Sequence, residues 1–399
     1  MTIAPPTDGP LAGVRVLDLS RVLAGPYCSM ILADMGADIV KVENPQGGDI
    51  TRAWGPPWAG DEATYYMSAN RGKRSIAIDL RDPAGVEVAR RIAATCDVVI
   101  ENFIPGGAER MGLGWETLRA DNPALVYCSI SGYPHDSPEA PLPGFDFAIQ
   151  GEGGIMSITG EVDGAPMKVG VAIADLTSGM FAANGILAAL VAVRGGGPGR
   201  RVQVSLFDSQ LAWLANRGTE ASIAGWEPAR FGNAHPSIVP YETFPTTGAH
   251  IIVAVGTDLQ FRSFCEAIGL PEVGSDSRFA TNPDRVANRV ALIPLLQEAT
   301  ATFAPAALLA ALAERDVPSG PVRTIPEALA AAPYALQSHT HPTAGEIHTV
   351  RSPIAFDGDH LTSPRHPPLL GEHTRALLLE AGFSEAETQT ALDGPCHQR

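Results

Sequence analysis

Positive charge is scarce in this chain. Its 399 residues carry 28 Lys and Arg against 44 Asp and Glu, a formal net charge of −16. A nucleic-acid binder or a protein held on an anionic membrane surface needs a positive field, so neither partner is expected. Any anionic ligand must then meet a local cluster of Arg or Lys. Cysteine is also sparse: Cys28, Cys96, Cys128, Cys265 and Cys396 are scattered, odd in number and free of CxxC spacing. That pattern suggests neither a disulfide framework nor a thiolate zinc site, and a reducing compartment fits it best. No apolar run is expected to span a bilayer, and MTIAPPTDGPLAGVRVLDL has no basic stretch before an apolar one and no arginine before Arg15. A soluble, cytoplasmic protein is expected. The first turn, RVLAGPYCSM, lacks GxGxxG, which argues against a nicotinamide or flavin site.

What is present is ordinary globular material, 45% hydrophobic and 18% charged. Over residues 14–110 strands and helices alternate: VRVLDL, a helical stretch at 26–35, DIVKVE, SIAIDL, a helical stretch at 83–94, and DVVIEN. ALVYCSISGY adds a strand near 124–130. Such interleaving predicts a parallel sheet covered on both faces, a Rossmann-like arrangement. LTSGMFAANGILAALVAV, residues 176–193, reads as a small-residue-rich helix closed by the glycines at 195–197. Near 225 the pattern changes to one strand, HIIVAVG, followed by amphipathic helices, which predicts a smaller α+β domain. The expected α/β organisation is a large domain of residues 1–206 with 370–399, a small domain of 229–325, and linkers at 207–228 and 326–369.

GVAIADLTSG, residues 170–179, is the most informative segment. Residues 170–174 are apolar and β-like and a helix follows, so Asp175 is expected at a strand-to-helix transition, near unpaired backbone N–H groups. The segment alone leaves two readings open: an N-cap aspartate, or a nucleophile held ionised and exposed to a thioester carbonyl. The HTH at 339–341 with His348 lacks supporting ligands at useful spacing, so a polar loop and no metal are expected. Cys28 has no evident His partner and reads as a buried small residue. Lys73 and Arg74 form a basic pair that is either a nucleotide contact or a turn. The segment 231–244, FGNAHPSIVPYETF, reads as a structural turn or as a flap over a site.

LDLSRVLAGP, GADIVKVENPQGGDITR, NRGKRSIAIDLRDP, ENFIPGGAERMGLGW, GVAIADLTSGM and LGEHT, in this order over nearly the whole chain, resemble the class III CoA-transferases, the carnitine/bile-acid CoA-transferase type. The resemblance implies that Asp175 is a covalent nucleophile in a ping-pong transfer of coenzyme A through an aspartyl-CoA thioester. It implies a coenzyme A thioester as substrate and no permanently bound cofactor. It places the coenzyme A contacts at Leu23, Ala24, Asn44, Ile78, Asp79, Leu80, Arg81, Asn102, Phe103, Ile104 and Arg110, with Arg81 and Arg110 supplying local positive charge. All but Arg110 lie at or just past predicted strand ends, where an open α/β sheet binds ligands. At Asn44 some members carry Arg. LPGFDF, residues 142–147, matches a loop bordering the reaction centre, where racemases of the family place a histidine at the position of Phe145. An apolar ring cannot take a proton, so racemisation is not expected, although Asp146 stands beside it. Residues 51–79 and 231–244 are similar to the succinate–hydroxymethylglutarate, dicarboxylate-using branch. That implies succinyl-CoA or a similar donor, a C4 to C6 dicarboxylate acceptor, and Arg52 or His235 for the distal carboxylate. It also implies an interlocked homodimer. The competing readings are a 2-methylacyl-CoA racemase and a non-catalytic CoA-binding protein.

Overall fold

The computed structural model describes residues 9–393. Six short, β-branched segments form the main sheet: β1 (Arg15–Asp18), β2 (Asp38–Glu43), β3 (Lys73–Ala77), β4 (Val98–Glu101), β5 (Val126–Ser131) and β6 (Arg200–Ser205). The order is β3-β2-β1-β4-β5-β6 and every pair is parallel. β2 to β5 are buried along their whole length, as runs such as VVIE require when both faces are covered. One face packs on α1 (Ala24–Asp34) and the other on α2 (Pro83–Ala93) and α3 (Trp115–Asp121). α2 shows how local sequence sets an element. Asp82 accepts from the Ala84 N–H as N-cap, Pro83 occupies the first turn, and Val88, Ala89, Ile92 and Ala93 face the core. Because β2 and β3 are laid down on one side of β1 and β4 to β6 on the other, the carboxyl ends of β1 and β4 border a crevice at the topological switch point.

After β5 come α4 (Asp146–Glu152), α5 (Ile173–Arg194) and α6 (Leu206–Trp213). α5 packs closely on α1: a Cβ added at Gly179 would lie 2.6 Å from the Ala24 carbonyl oxygen, so only glycine permits this approach. The chain divides into two units. The first comprises residues up to Ile155, Lys168–Gly225 and those from Tyr334 onward; the second comprises Met156–Met167 and Trp226–Pro333. In place of open linkers at 207–228 and 326–369, residues 206–224 are largely helical. A hairpin of Leu336–His341 with Gly345–Val350 joins the first unit. After the hairpin the chain returns to the edge of β3. Gly371 donates to Ser75 Oγ at 2.9 Å, His373 N–H to the Ser75 carbonyl at 2.9 Å, and the Ala77 N–H donates to Thr374 Oγ1 at 3.0 Å. The edge strand is thereby covered. The second unit is an antiparallel three-stranded sheet, Tyr241–Phe244, Ile251–Ala254 and Ser319–Pro321. Its core holds Phe244, Phe261, Phe264, Phe279 and Leu292. The architecture is thus α/β with a smaller α+β unit.

Charge is buried against β1, β2 and β3. Asp18 accepts from Ser29 Oγ at 2.5 Å, Lys73 Nζ at 3.2 Å, and the Ser20 N–H and hydroxyl; Lys73 also donates to the Pro26 carbonyl and Asn70 Oδ1, both at 2.9 Å. Lys41 Nζ lies 3.0 Å from Asp49 and 3.0 Å from the Ser20 carbonyl. The expectation for Lys73 and Arg74 is corrected here: both are buried residues of β3, and Arg74 pairs with Asp38 and Glu380. A basic pair in sequence carries no mark of the acidic partners that fold around it. Burial alone would push Asp18 up, but Lys73 and Lys41 outweigh it and hold this carboxyl below its ordinary range. Asp18→Asn leaves Lys73 buried without its counter-charge, and a loss of about 3–5 kcal/mol is expected. A urea-unfolding midpoint that falls at unchanged slope is the confirming measurement.

Candidate active site

The loops after β1, β4 and β5 and the start of α5 enclose a cavity of ≈270 Å3 at the switch point. Val22, Leu23 and Ala24 form one wall, Asn102, Phe103 and Ile104 another, and Phe145, Asp146 and Asp175 close the third. Phe145, 62% exposed, sits at the N-cap of α4.

The strand expected over 170–174 does not form. α5 begins at Ile173, its N-cap is Ala172, and Asp175 is the third helical residue. The capping acceptor comes from elsewhere: Ala174 N–H donates to Asp146 Oδ1 at 2.9 Å. The N-cap reading of Asp175 is therefore corrected, because Asp146, 29 residues earlier, does that work. The small apolar residues before Asp175 looked β-like, yet no neighbouring strand pairs with them. Among the described residues the Asp175 carboxylate has no hydrogen bond and no ion pair. Burial, and then the nearby charge of Asp146, push it up to about 7. The positive end of α5 acts in the opposite direction, and burial prevails.

The wall opposite is strained. Val22 has φ +70, a left-handed conformation that a β-branched residue rarely adopts. Its N–H faces both oxygens of Asp49, at 3.3 and 3.2 Å, and Asp49 is fixed from behind by Lys41. Asn102 bridges to the same loop, accepting from the Arg21 N–H at 2.9 Å and donating to the Arg21 carbonyl at 2.7 Å. Its amide thus ties two loops together across the crevice.

A neighbouring cavity of ≈260 Å3 gathers Asn44, Ile78, Asp79, Leu80, Arg81 and Phe103; Phe103 and Arg21 border both cavities. Arg81 is exposed and reaches Asp79 at 2.7 Å. Arg110 lies exposed on the helical turn Gly107–Arg110 and lines neither cavity. Arg52, expected near a substrate carboxylate, is instead buried and committed. Its Nε reaches Glu43 at 2.8 Å, Nη1 reaches Glu62 at 2.9 Å, and Nη2 meets the Tyr66 hydroxyl at 2.6 Å and the Pro368 carbonyl at 2.9 Å. His235 belongs to the second unit, where its Nδ1 accepts from the Ser237 N–H at 3.1 Å. Cys28 is fully buried in α1. No group of three or more His, Cys, Asp or Glu side chains among the described residues could hold a metal ion.

Tyr65 was missed by the sequence reading. It stands edge-on to Trp54, ring centroids 5.0 Å apart. Burial first, then the charges of Asp175, Asp146 and Asp49, raise its phenol above the ordinary value. It therefore remains a proton-bearing donor within electrostatic reach of Asp175. Its only signal in the sequence is aromatic clustering in TRAWGPPWAGDEATYYM, which does not single out one ring.

The profile of CoA-transferase family III matches residues 11–374. The chain belongs to that family. It is 44% identical over 390 residues to the succinate–glutarate CoA-transferase of Agrobacterium fabrum, covering 95% of this chain and 98% of that one. It is 40% identical over 376 residues to the human succinyl-CoA:glutarate CoA-transferase, covering 93% and 86%. Among solved structures, a CAIB/BAIF family protein from Brucella suis superposes with a TM-score of 0.84 at 42% identity, covering 94% of this chain and 100% of that one.

The desolvated Asp175 carboxyl predicts a stability trade-off. Because folding raises the Asp175 value, the folded state bears a penalty that grows as pH rises from about 4 toward 7 and stays constant above it. Asp175→Asn is expected to be more stable than wild type by roughly 1–3 kcal/mol at pH 8, the gap closing near pH 4. Denaturant unfolding at both pH values measures it; an Asn variant less stable at pH 8 contradicts the assignment.

Proposed function

We propose that this enzyme transfers coenzyme A from succinyl-CoA, or another dicarboxylyl-CoA, to a free C4 to C6 dicarboxylate such as glutarate, with Asp175 as covalent carrier. The observation that carries the reading is a carboxylate in the switch-point cavity that no group among the described residues engages, beside a helix start capped by another residue. Ionised Asp175 attacks the thioester carbonyl and expels coenzyme A thiolate, which leaves a mixed anhydride. The thiolate then attacks the Asp175 carbonyl of that anhydride, releasing the donor acid and forming the aspartyl-CoA thioester. The acceptor carboxylate attacks this thioester, and the thiolate, released again, takes the acceptor acyl group and restores Asp175. No proton is gained or lost over the cycle.

The α1 N-terminus, at Leu23 and Ala24, presents backbone N–H groups near the charge that develops on the reacting carbonyl. Tyr65 offers a further donor. Asn44, Ile78 to Arg81 and Phe103 would hold the nucleotide end of coenzyme A, with Asn102 and Ile104 along the path to Asp175. Arg110 would reach phosphate from the rim. The substrate class rests on the relatives named for succinate or succinyl-CoA and glutarate. An apolar Phe145, with no base in its place, weighs against racemisation. A cytoplasmic homodimer completes the reading. Cys28, Cys96, Cys128 and Cys265 are all free thiols, and α5 and the adjacent α6 expose Met180, Phe181, Val191, Leu211 and Trp213.

Asp175→Ala is expected to lower succinyl-CoA:glutarate transfer by roughly 10^4-fold or more while coenzyme A binding, read by calorimetry, changes little. Hydroxylamine added during turnover should modify the peptide containing Asp175. A folded Asp175→Ala enzyme that transfers at near wild-type rate sinks the mechanism. Light scattering should return the mass of two chains; the mass of one chain contradicts the dimer.

A further inference from the structure

One buried amide connects Asp146, one of the two carboxyl groups of the cavity, to the segment that leads into α5. Gln150, fully buried on α4, accepts the Val169 N–H on Oε1 at 2.8 Å. Its Nε2 donates to Asp146 Oδ2 at 2.7 Å and to the Val171 carbonyl at 3.3 Å. The partners fix its orientation: a backbone N–H demands an acceptor, and a carboxylate and a carbonyl demand donors, so a flipped amide would lose all three contacts.

Asp146 accordingly receives one donor on each oxygen, Gln150 on Oδ2 and the Ala174 N–H on Oδ1. Among the described residues Asp175 receives none, and neither carboxyl pairs with a Lys or Arg. Tyr65 from the short helix Thr64–Met67, with Asp49 beyond it, also faces this pair, and Arg21 borders the same cavity. Two carboxyls sharing a desolvated site resist double ionisation, and the negative charge settles where donors meet it.

We propose that Gln150 is a positioning residue that assigns the proton within this pair, keeping the charge on Asp146 and leaving Asp175 as the group that must ionise before attack. The inference rests on Asp175 being the nucleophile. It also explains why one side chain holds both Asp146 and the 169–171 backbone: the charge assignment and the aim of Asp175 are set by the same contact.

The experiment is the pH dependence of kcat/KM with succinyl-CoA and glutarate, in wild type, Gln150→Met, Asp146→Asn and the double variant. Wild type should rise along an acid limb centred near pH 7, since the nucleophile must be ionised. Gln150→Met keeps the volume but removes the donor, so charge is less firmly fixed on Asp146 and the limb should move to lower pH by roughly 0.5–1. Asp146→Asn should move it at least as far. Because Gln150 acts through Asp146, Gln150→Met should add no further displacement in the Asp146→Asn background. A purely structural amide would lower the plateau and leave the limb in place, and that outcome overturns the proposal. So does an additive displacement in the double variant. Should Gln150→Met fail to fold, carboxyl 13C titration of the wild type decides. A cavity carboxyl titrating near pH 7 must vanish in Asp175→Ala; if it persists there, the proton resides on Asp146 and the proposal falls. Transfer surviving in Asp175→Ala refutes the nucleophile itself, whereas an inactive Asp175→Ala with an unmoved Gln150→Met limb refutes only the role of Gln150.

Discussion

The interaction on which the rest depends is the paired burial of Lys73 with Asp18 and of Lys41 with Asp49. Removing such charges from water costs several kcal/mol per ion, so their presence is poor evidence for stability and better evidence for geometry. Each pair crosses between strands or between a strand and the next loop. Asp49 turns from its lysine to the N–H of Val22 and holds that residue where its own side chain disfavours it. An apolar replacement could fill the volume, but it could not direct a backbone turn. The cavity wall formed by Leu23 and Ala24 is the geometric product of charges buried behind it.

Opposite that wall the logic is reversed. Asp175 has no partner among the described residues, while Asp146 takes one backbone N–H and one amide. A nucleophile fully solvated or fully hydrogen-bonded would be a poor attacking group, and one left bare and dry is reactive at a price in folding stability. The strained left-handed valine and the unpartnered carboxyl thus face each other across one small cavity, and both are local departures from the rules the rest of the chain obeys.

Those rules explain what the sequence could and could not disclose. The parallel sheet was legible because VRVLDL, DIVKVE and DVVIEN are β-branched runs whose burial on two faces admits few alternatives. The end of α5 was legible because three glycines follow it. Its start was not, since the group that caps it is Asp146, and nothing in a linear pattern joins residues 146 and 174. Arg52 misled for a similar reason: an arginine in a loop near a ligand site looks available until Glu43, Glu62 and Tyr66 are folded onto it. Long-range pairing of polar groups is the information that periodicity does not contain. Motif resemblance is what singled out Asp175, because it points to a position without needing its contacts.

Gly179 gives the molecule a fixed gauge. The distance between α1 and α5 is set by the hydrogen atom on that residue's Cα, one helical turn beyond Asp175, and any Cβ there would drive the helices apart against the Ala24 carbonyl. The separation between the two helices at this point therefore has no gradual adjustment: any side chain at residue 179 can only widen it. Diversification toward longer, branched or hydroxylated acids is then channelled to the rim, where Phe145, Leu142 and Ile104 stand exposed and can be exchanged singly. Such a molecule can be retuned by selection at its margin while its reaction chemistry remains inherited intact.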